Sequence, residues 1–98
     1  MAHSLQTANF LIESRLKDAA AGKIEAYYDL GIAYSSGTGG LDIDLIEAHK
    51  WFNLAAVNGH ERAQECRAEI SDEMTAREIS QAQKQARAWL NDTMRRAA

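Results

Sequence analysis

Histidine and cysteine are the residues of this chain whose chemistry most often marks a metal or catalytic site. The three histidines, His3, His49 and His60, are too far apart to form a helical His-x-x-x-His pair, and Cys66 has no partner cysteine. The sequence therefore predicts no metal site. We interpret Cys66 as a small apolar residue of the core rather than as a nucleophile.

The loop over residues 37–40, Gly-Thr-Gly-Gly, could in principle cradle a phosphate. A phosphate loop needs a strand before it and a Lys-Ser or Lys-Thr pair opening the next helix, and neither is present. Asp42-Ile43-Asp44 is similar to the start of a calcium loop, but the glycine and the bidentate glutamate are missing at the required spacing. We expect no cofactor and no enzyme. A small enzyme stays an alternative, because catalytic groups can converge from anywhere in a fold.

Composition places the chain among globular proteins of a single domain. It has 98 residues, of which 46% are hydrophobic and 26% charged, and it contains no proline. Without helix breakers or alternating strand patterns, an all-α fold is predicted. A net charge of −3 argues against nucleic acid as a partner. No apolar run is long enough for a membrane span, and the first residues lack the features of a signal peptide, so we expect a cytoplasmic protein without a membrane partner.

The elements that must position any site are five helices. We predict an N-terminal helix over 4–21, a helical hairpin over 22–59, a partial second repeat over 60–73 with a helix over 60–70, and a long helix over 75–96. Ser4 is expected to cap the first helix, and Gly22 to stop it. The hairpin has one helix over 24–35 and another over 45–57.

Local signals refine these helices. Asp44 with Glu47 and Thr75 with Glu78 have the spacing of capping boxes. A glycine inside a helix, Gly31, costs about 1 kcal/mol relative to alanine, so we expect it to permit a close approach of the next helix. On that next helix, three polar residues are expected to point outward; they are His49, Lys50 and Asn53.

Charge is distributed unevenly along the chain. Residues 79–98 carry Lys84, Arg87, Arg95 and Arg96 against Asp92, a net charge of +3, which leaves −6 for the remainder. Basic residues near a helix C-terminus compensate the helix dipole, which explains the asymmetry simply. A docking patch for an acidic partner is the alternative.

Two segments repeat with a period of 37 residues, because Gly22 with Glu25-Ala26 aligns with Gly59 and Arg62-Ala63. Periods of this size are typical of helical-hairpin solenoids. The pattern Leu30-Gly31-x-x-Tyr34-x-x-Gly37-x-Gly39, followed by Asp44-x-x-x-Ala48-x-x-Trp51-Phe52-x-x-Ala55-Ala56-x-x-Gly59, resembles a Sel-one-like repeat, a branch of the tetratricopeptide-type repeats. The departures are the extra Gly40 and the acidic Glu47. The resemblance implies a short α-solenoid of a small bacterial type, with one full repeat, a partial second repeat and a capping helix, acting as an adaptor or scaffold without catalysis.

A binding surface is predicted on the first helix of the hairpin, formed by Tyr28, Asp29 and Ile32 with Glu25 and Lys50 at its rim. It would bind a protein or peptide of unknown identity. Alternatively, Tyr28 and Ile32 pack against the N-terminal helix. In a further alternative the chain is a self-associating structural protein, since one repeat is short for a solenoid and an uncovered end could bury against a second copy as a homodimer.

Overall fold

The computed structural model describes the backbone of residues 2–97 and the side chains of residues 9–38 and 40–96. Over these residues the fold is all-α, as predicted, with five helices and no strand. The helices are α1 (Ala2–Ala20), α2 (Ile24–Ser36), α3 (Leu45–Val57), α4 (Glu61–Ser71) and α5 (Ala76–Ala97). The predicted start of α1 was wrong: Ser4 lies inside the helix and not at its cap, because neither Ala2 nor His3 restricts the backbone against a helix.

The hairpin of α2 and α3 is the centre of the molecule, and its two helices make the most extensive helix contact. They run antiparallel, since the Asp44 amide donates to the Tyr34 carbonyl at 2.9 Å while Tyr27 stacks on Trp51 at the other end, with 6.0 Å between ring centroids. Between these contacts, a Cβ atom added to Gly31 would lie 2.4 Å from Cδ1 of Phe52. The expected close approach at this glycine is confirmed.

The connection between α2 and α3 is a glycine turn followed by a capped helix start. Gly37 adopts a left-handed conformation, φ +68°, which ends α2, and a short 3₁₀ turn follows over Thr38–Gly40. The Asp44 carboxylate caps α3 by accepting from the Glu47 amide at 3.1 Å, as predicted. The Glu47 carboxylate, however, accepts from Lys50 and from the Trp51 indole, each at 3.2 Å, so only half of the expected capping box forms.

Helix α3 is covered on several sides, since it contacts α4 and α5 as well as α2. The prediction that three of its polar residues point outward was therefore wrong. His49 is 2% exposed, Asn53 accepts from Arg67 of α4 at 2.6 Å, and the Lys50 ammonium lies 4.5 Å from the centre of a Trp51 ring. Periodicity shows which side of a helix is apolar, but it cannot count the neighbours that the helix will have.

Helix α5 begins with a complete capping box. The Glu78 amide donates to the Thr75 hydroxyl at 3.1 Å, and the Thr75 amide donates to the Glu78 carboxylate at 2.8 Å, as predicted. Further along, Trp89 meets Trp51 of α3 edge to face, with centroids 4.8 Å apart. Ala82 and Ala86 are fully enclosed on the same side. This side of α5 is therefore buried against the rest of the chain.

None of the helices in the described part of the chain combines the length and the apolar character that crossing a bilayer requires.

Candidate functional site

A shallow groove lies between α1 and α2, beside the turn that leaves α2. It is lined by Leu11, Ile12, Arg15, Asp29, Ile32, Ala33 and Thr38. The Arg15 guanidinium and the Asp29 carboxylate are 3.2 Å apart and link the two helices across it. The groove thus joins apolar side chains and one ion pair on a surface that both helices build.

The groove keeps apolar side chains in contact with solvent. Leu11 is 46% exposed and Ile32 36%, while the neighbouring Phe10 on α1 is 70% exposed. Helix α1 reaches the core through its later turns, where Ala19 is fully buried and Leu16 packs against the core. Since Phe10, Leu11 and Ile12 are consecutive, they cannot all face α2 at once.

The size of the groove limits what it can bind. It encloses about 160 Å³, whereas pockets for drug-sized ligands and cofactors hold about 300–1,000 Å³. A side chain from another protein fits a depression of this kind better than a small molecule enclosed on most sides. The arrangement is suited to contact with a macromolecule.

Of the five residues predicted to form a binding surface, Asp29 and Ile32 lie in this groove. Tyr28, four residues before Ile32, instead stacks on the His60 ring with centroids 4.4 Å apart, and it also meets Phe52 of α3. The Glu25 carboxylate lies 3.2 Å from Nε2 of His60, and the Glu25 side chain is largely exposed. Tyr28 and Glu25 therefore face the start of α4. Of the alternative that Tyr28 and Ile32 pack against α1, the structure places Ile32 beside α1 in the groove, while the aromatic contacts of Tyr28 are with α3 and the start of α4.

Lys50, the fifth residue, lies on the other side of the hairpin. Its ammonium is 3.2 Å from the Glu47 carboxylate and lies over the rings of Trp51 and Trp89, at 4.5 and 5.8 Å from their centroids. The predicted surface is thus divided among three places. That surface was predicted from the periodicity of single helices. Periodicity carries no information on the residues of α4 and α5 that pack nearby.

His60 is the histidine with the best-defined partners. Its Nδ1 accepts from the Ala63 amide at 3.1 Å and caps α4, which begins at Glu61 rather than at His60. Its Nε2 faces Glu25. Nδ1 is thus occupied as an acceptor, and Nε2 lies against a carboxylate. A general base needs a free acceptor nitrogen, and His60 offers none while it caps α4.

Two buried groups also have perturbed acidities. Burial raises the pKa of the Cys66 thiol, more than the nearby Arg62 guanidinium lowers it, so the buried sulfur is held as the neutral thiol. This agrees with the interpretation of Cys66 as a core residue. Burial lowers the pKa of His49, and the positive charge of Arg67 lowers it further. His49 Nδ1 has no hydrogen-bond partner among the described residues.

The part of the chain that the structure describes contains no assembled metal site. Nowhere among those residues do three or more histidine, cysteine, aspartate or glutamate side chains come together as ligands.

Leu11 and Arg15 were missed by sequence reasoning as groove residues. One signal for Leu11 was available, because three consecutive large apolar residues on a helix exceed the width of a buried stripe and leave at least one of them at the surface. No signal identified Arg15, whose partner lies 14 residues away on another helix.

Comparison of the chain with protein-family models, with curated proteins and with solved structures gave no match in any of the three.

Proposed function

We propose that this chain is a non-catalytic protein–protein interaction module, a short helical-repeat adaptor or scaffold of the Sel-one-like type, that binds a protein or peptide in the α1/α2 groove. The observation that carries the proposal is the exposure of Leu11 and Ile32 beside the Arg15–Asp29 ion pair. Protein interfaces combine exposed apolar side chains with polar and charged groups, as this groove does.

The energetic basis is the burial of apolar surface. Fully burying a leucine or isoleucine side chain stabilises a complex by about 1.5–3 kcal/mol. Leu11 and Ile32 are already partly covered, so each contributes less, and the exposed ring of Phe10 adds the area that an aromatic residue supplies at interfaces. The Arg15–Asp29 pair lies between the two helices, and its exposed polar atoms can offer hydrogen bonds to a peptide backbone.

An enzyme is the less favoured function. The groove is small and shallow, and the histidine with the best-placed partners, His60, uses both nitrogens inside the fold. A cytoplasmic location is part of the proposal and rests on the single, buried cysteine, because a reducing compartment suits a free thiol.

The experiment is affinity capture from a lysate with three versions of the tagged protein. The first is the wild type, the second carries Leu11→Gln and Ile32→Gln, and the third carries Val57→Gln at an exposed apolar residue of α3 that does not line the groove. Glutamine keeps the helix propensity and removes the apolar surface. Circular dichroism first checks that each variant stays folded.

We expect a partner that the wild type and the Val57 variant retain and that the groove variant loses by at least tenfold. Equal capture by all three versions would refute the groove as the binding surface. If the wild type turns over a small molecule and the groove variant does so as well, the non-catalytic assignment is refuted.

A further inference from the structure

The long helix α5 exposes a face with an excess of positive charge, with one carboxylate, Asp92, at its flank. Positions 77, 84, 88 and 95 recur at intervals of 7, 4 and 7 residues and so lie on one side of the helix. The exposed residues of this face are Arg77, Ser80, Gln81, Lys84, Arg87, Ala88, Asn91 and Arg95. The face extends over 19 residues, which are 18 steps of 1.5 Å or about 27 Å along the helix axis.

These cations are not neutralised within the described part of the chain. Arg77, Lys84, Arg87 and Arg95 have no carboxylate within 4.0 Å among the residues whose side chains the structure describes. Arg96, by contrast, pairs with Asp92 at 3.3 Å on the flank of the helix. Dipole compensation can account only for the residues of the last turn, whereas this row continues back to the first turn of α5.

Helix α4 exposes the opposite charge. Its solvent side and the turn that follows carry five acidic residues, all exposed: Glu61, Glu65, Glu69, Asp72 and Glu73. The one cation among them, Arg62, contacts Glu65 at 2.8 Å and Glu69 at 3.4 Å, which leaves a large excess of negative charge. Since α4 and α5 share little direct contact, the two charged faces do not neutralise each other inside one copy.

We propose that the acidic face of α4 and the basic face of α5 are the two halves of an interface with a second copy of this chain. When two helices pack antiparallel, each residue of one helix lies beside one residue of the other. Along the contact, the two residue numbers of such a pair always add up to the same total. One register brings three pairs level: Glu61 with Arg95, Glu69 with Arg87, and Asp72 with Lys84.

The centre of that register suits close contact. Ala68 of α4 and Ala88 of α5, both exposed, are level with each other in it. Small side chains at this point let the two helices approach while the long charged side chains reach across beside them. Each pair is worth little alone, so the interface depends on the three acting together.

A second copy fits these faces better than a nucleic acid or a membrane. The chain has a net charge of −3, and the acidic face of α4 would repel a polyphosphate. Insertion into a bilayer surface requires a free apolar face, and that of α5 is occupied by the contact of Trp89 with Trp51.

The experiment measures self-association by sedimentation equilibrium in 50 mM and 500 mM NaCl. One variant reverses the charge of α5 by Lys84→Glu, Arg87→Glu and Arg95→Glu. A matched variant reverses α4 by Glu61→Lys, Glu69→Lys and Asp72→Lys. All six positions are exposed, so both variants should stay folded, and circular dichroism verifies this.

We expect the wild type to associate in 50 mM NaCl and at least tenfold more weakly in 500 mM, because salt screens exposed charges. Each variant alone should associate at least tenfold more weakly than the wild type, and an equimolar mixture of the two should regain association, since every face then meets one of opposite charge. A wild type that remains a monomer at 0.5 mM in low salt would overturn the proposal, as would a mixture no stronger than its components. Capture of an unrelated acidic protein by a monomeric wild type would also overturn it.

Discussion

The two outer helices, α1 and α5, cover the same hairpin, but they leave opposite kinds of surface. On α5 the enclosed positions carry alanine, at 82 and 86, with Trp89 set edge to face against Trp51. On α1 the buried position Ala19 lies near the C-terminal end, while Phe10 and Leu11 remain in solvent. We call these the closed side and the open side of the hairpin.

The difference follows from how each sequence distributes its large residues. Most apolar residues of α5 keep to one stripe, and Met94 near the C-terminal end is the one large apolar residue among its described side chains that is mostly exposed. Helix α1 instead places three large apolar residues in succession, of which only part can face α2. A helix that covers a hairpin needs apolar residues on the side that faces it. Additional large apolar residues on its other sides remain exposed and form a surface suited to binding.

Truncation of the closed side should have the largest effect on stability. Removing a buried tryptophan side chain typically costs about 3–5 kcal/mol. Trp89 is partly exposed, so we expect Trp89→Ala to lower the free energy of unfolding by about 2–4 kcal/mol. Urea unfolding followed by circular dichroism measures this. A loss below about 1 kcal/mol would mean that α5 does not hold the closed side.

The close approach inside the hairpin should give the next largest effect. Gly31→Ala places a Cβ atom against the buried ring of Phe52, and overpacking of this kind costs about 1–3 kcal/mol. Alanine regains up to about 1 kcal/mol of helix propensity, so we expect a net loss of about 1 kcal/mol. Adding Phe52→Leu tests the mechanism, because the two changes should then cost less together than the sum of each alone. A stabilised Gly31→Ala protein would contradict the packing shown here.

The free energy of unfolding should depend on pH because of His49, which is buried in the hairpin that the closed side and the open side cover. Because burial and Arg67 lower its pKa below the ordinary value of 6.5, the unfolded chain takes up a proton below about pH 6.5 while the folded chain keeps His49 neutral. The free energy of unfolding should therefore decrease as the pH falls from 7 to 5. One such group contributes at most about 1.4 kcal/mol per pH unit.

The comparison that isolates this effect uses His49→Leu, with urea unfolding at pH 7, 6 and 5. The variant should lose less stability on acidification than the wild type does, because only the wild type has the buried His49 imidazole. Equal slopes would show that His49 is not held neutral.

The smallest effect is expected on the open side. Phe10→Ala removes an aromatic ring that is 70% exposed, and surface changes of this type usually alter stability by no more than about 0.5 kcal/mol. The contrast with Trp89→Ala sharpens the distinction, because both variants remove an aromatic side chain from an outer helix. A loss similar to that of Trp89→Ala would mean that the open side is part of the core.

Much of the local structure could be predicted. The bounds of α3 agree with the predicted range, Asp44 and Thr75 cap their helices as expected, and Gly31 meets a partner helix. These features depend on residues within a few positions of each other or on a backbone property of one residue, and both are visible in the order of amino acids. The start of α1 was misplaced because a capping residue can also stand inside a helix.

The candidate site was predicted only in part. Asp29 and Ile32 lie in the groove, but Leu11 and Arg15, which complete it, come from a different helix. Tyr28 shares a helical face with Ile32 in the sequence, yet it belongs to the contact with His60. That division depends on where α4 crosses α2, which no spacing within α2 encodes.

The sequence by itself determined that the described part of this chain is all-α, where most of its turns fall and how α3 and α5 begin, because those properties are decided by propensities and hydrogen bonds between near neighbours. Only the tertiary structure decided that His49 is buried, that Lys50 lies over two tryptophan rings and that Leu11 and Ile32 line one groove. Each of these depends on contacts between residues far apart in the chain, and such contacts form only when whole helices pack against one another.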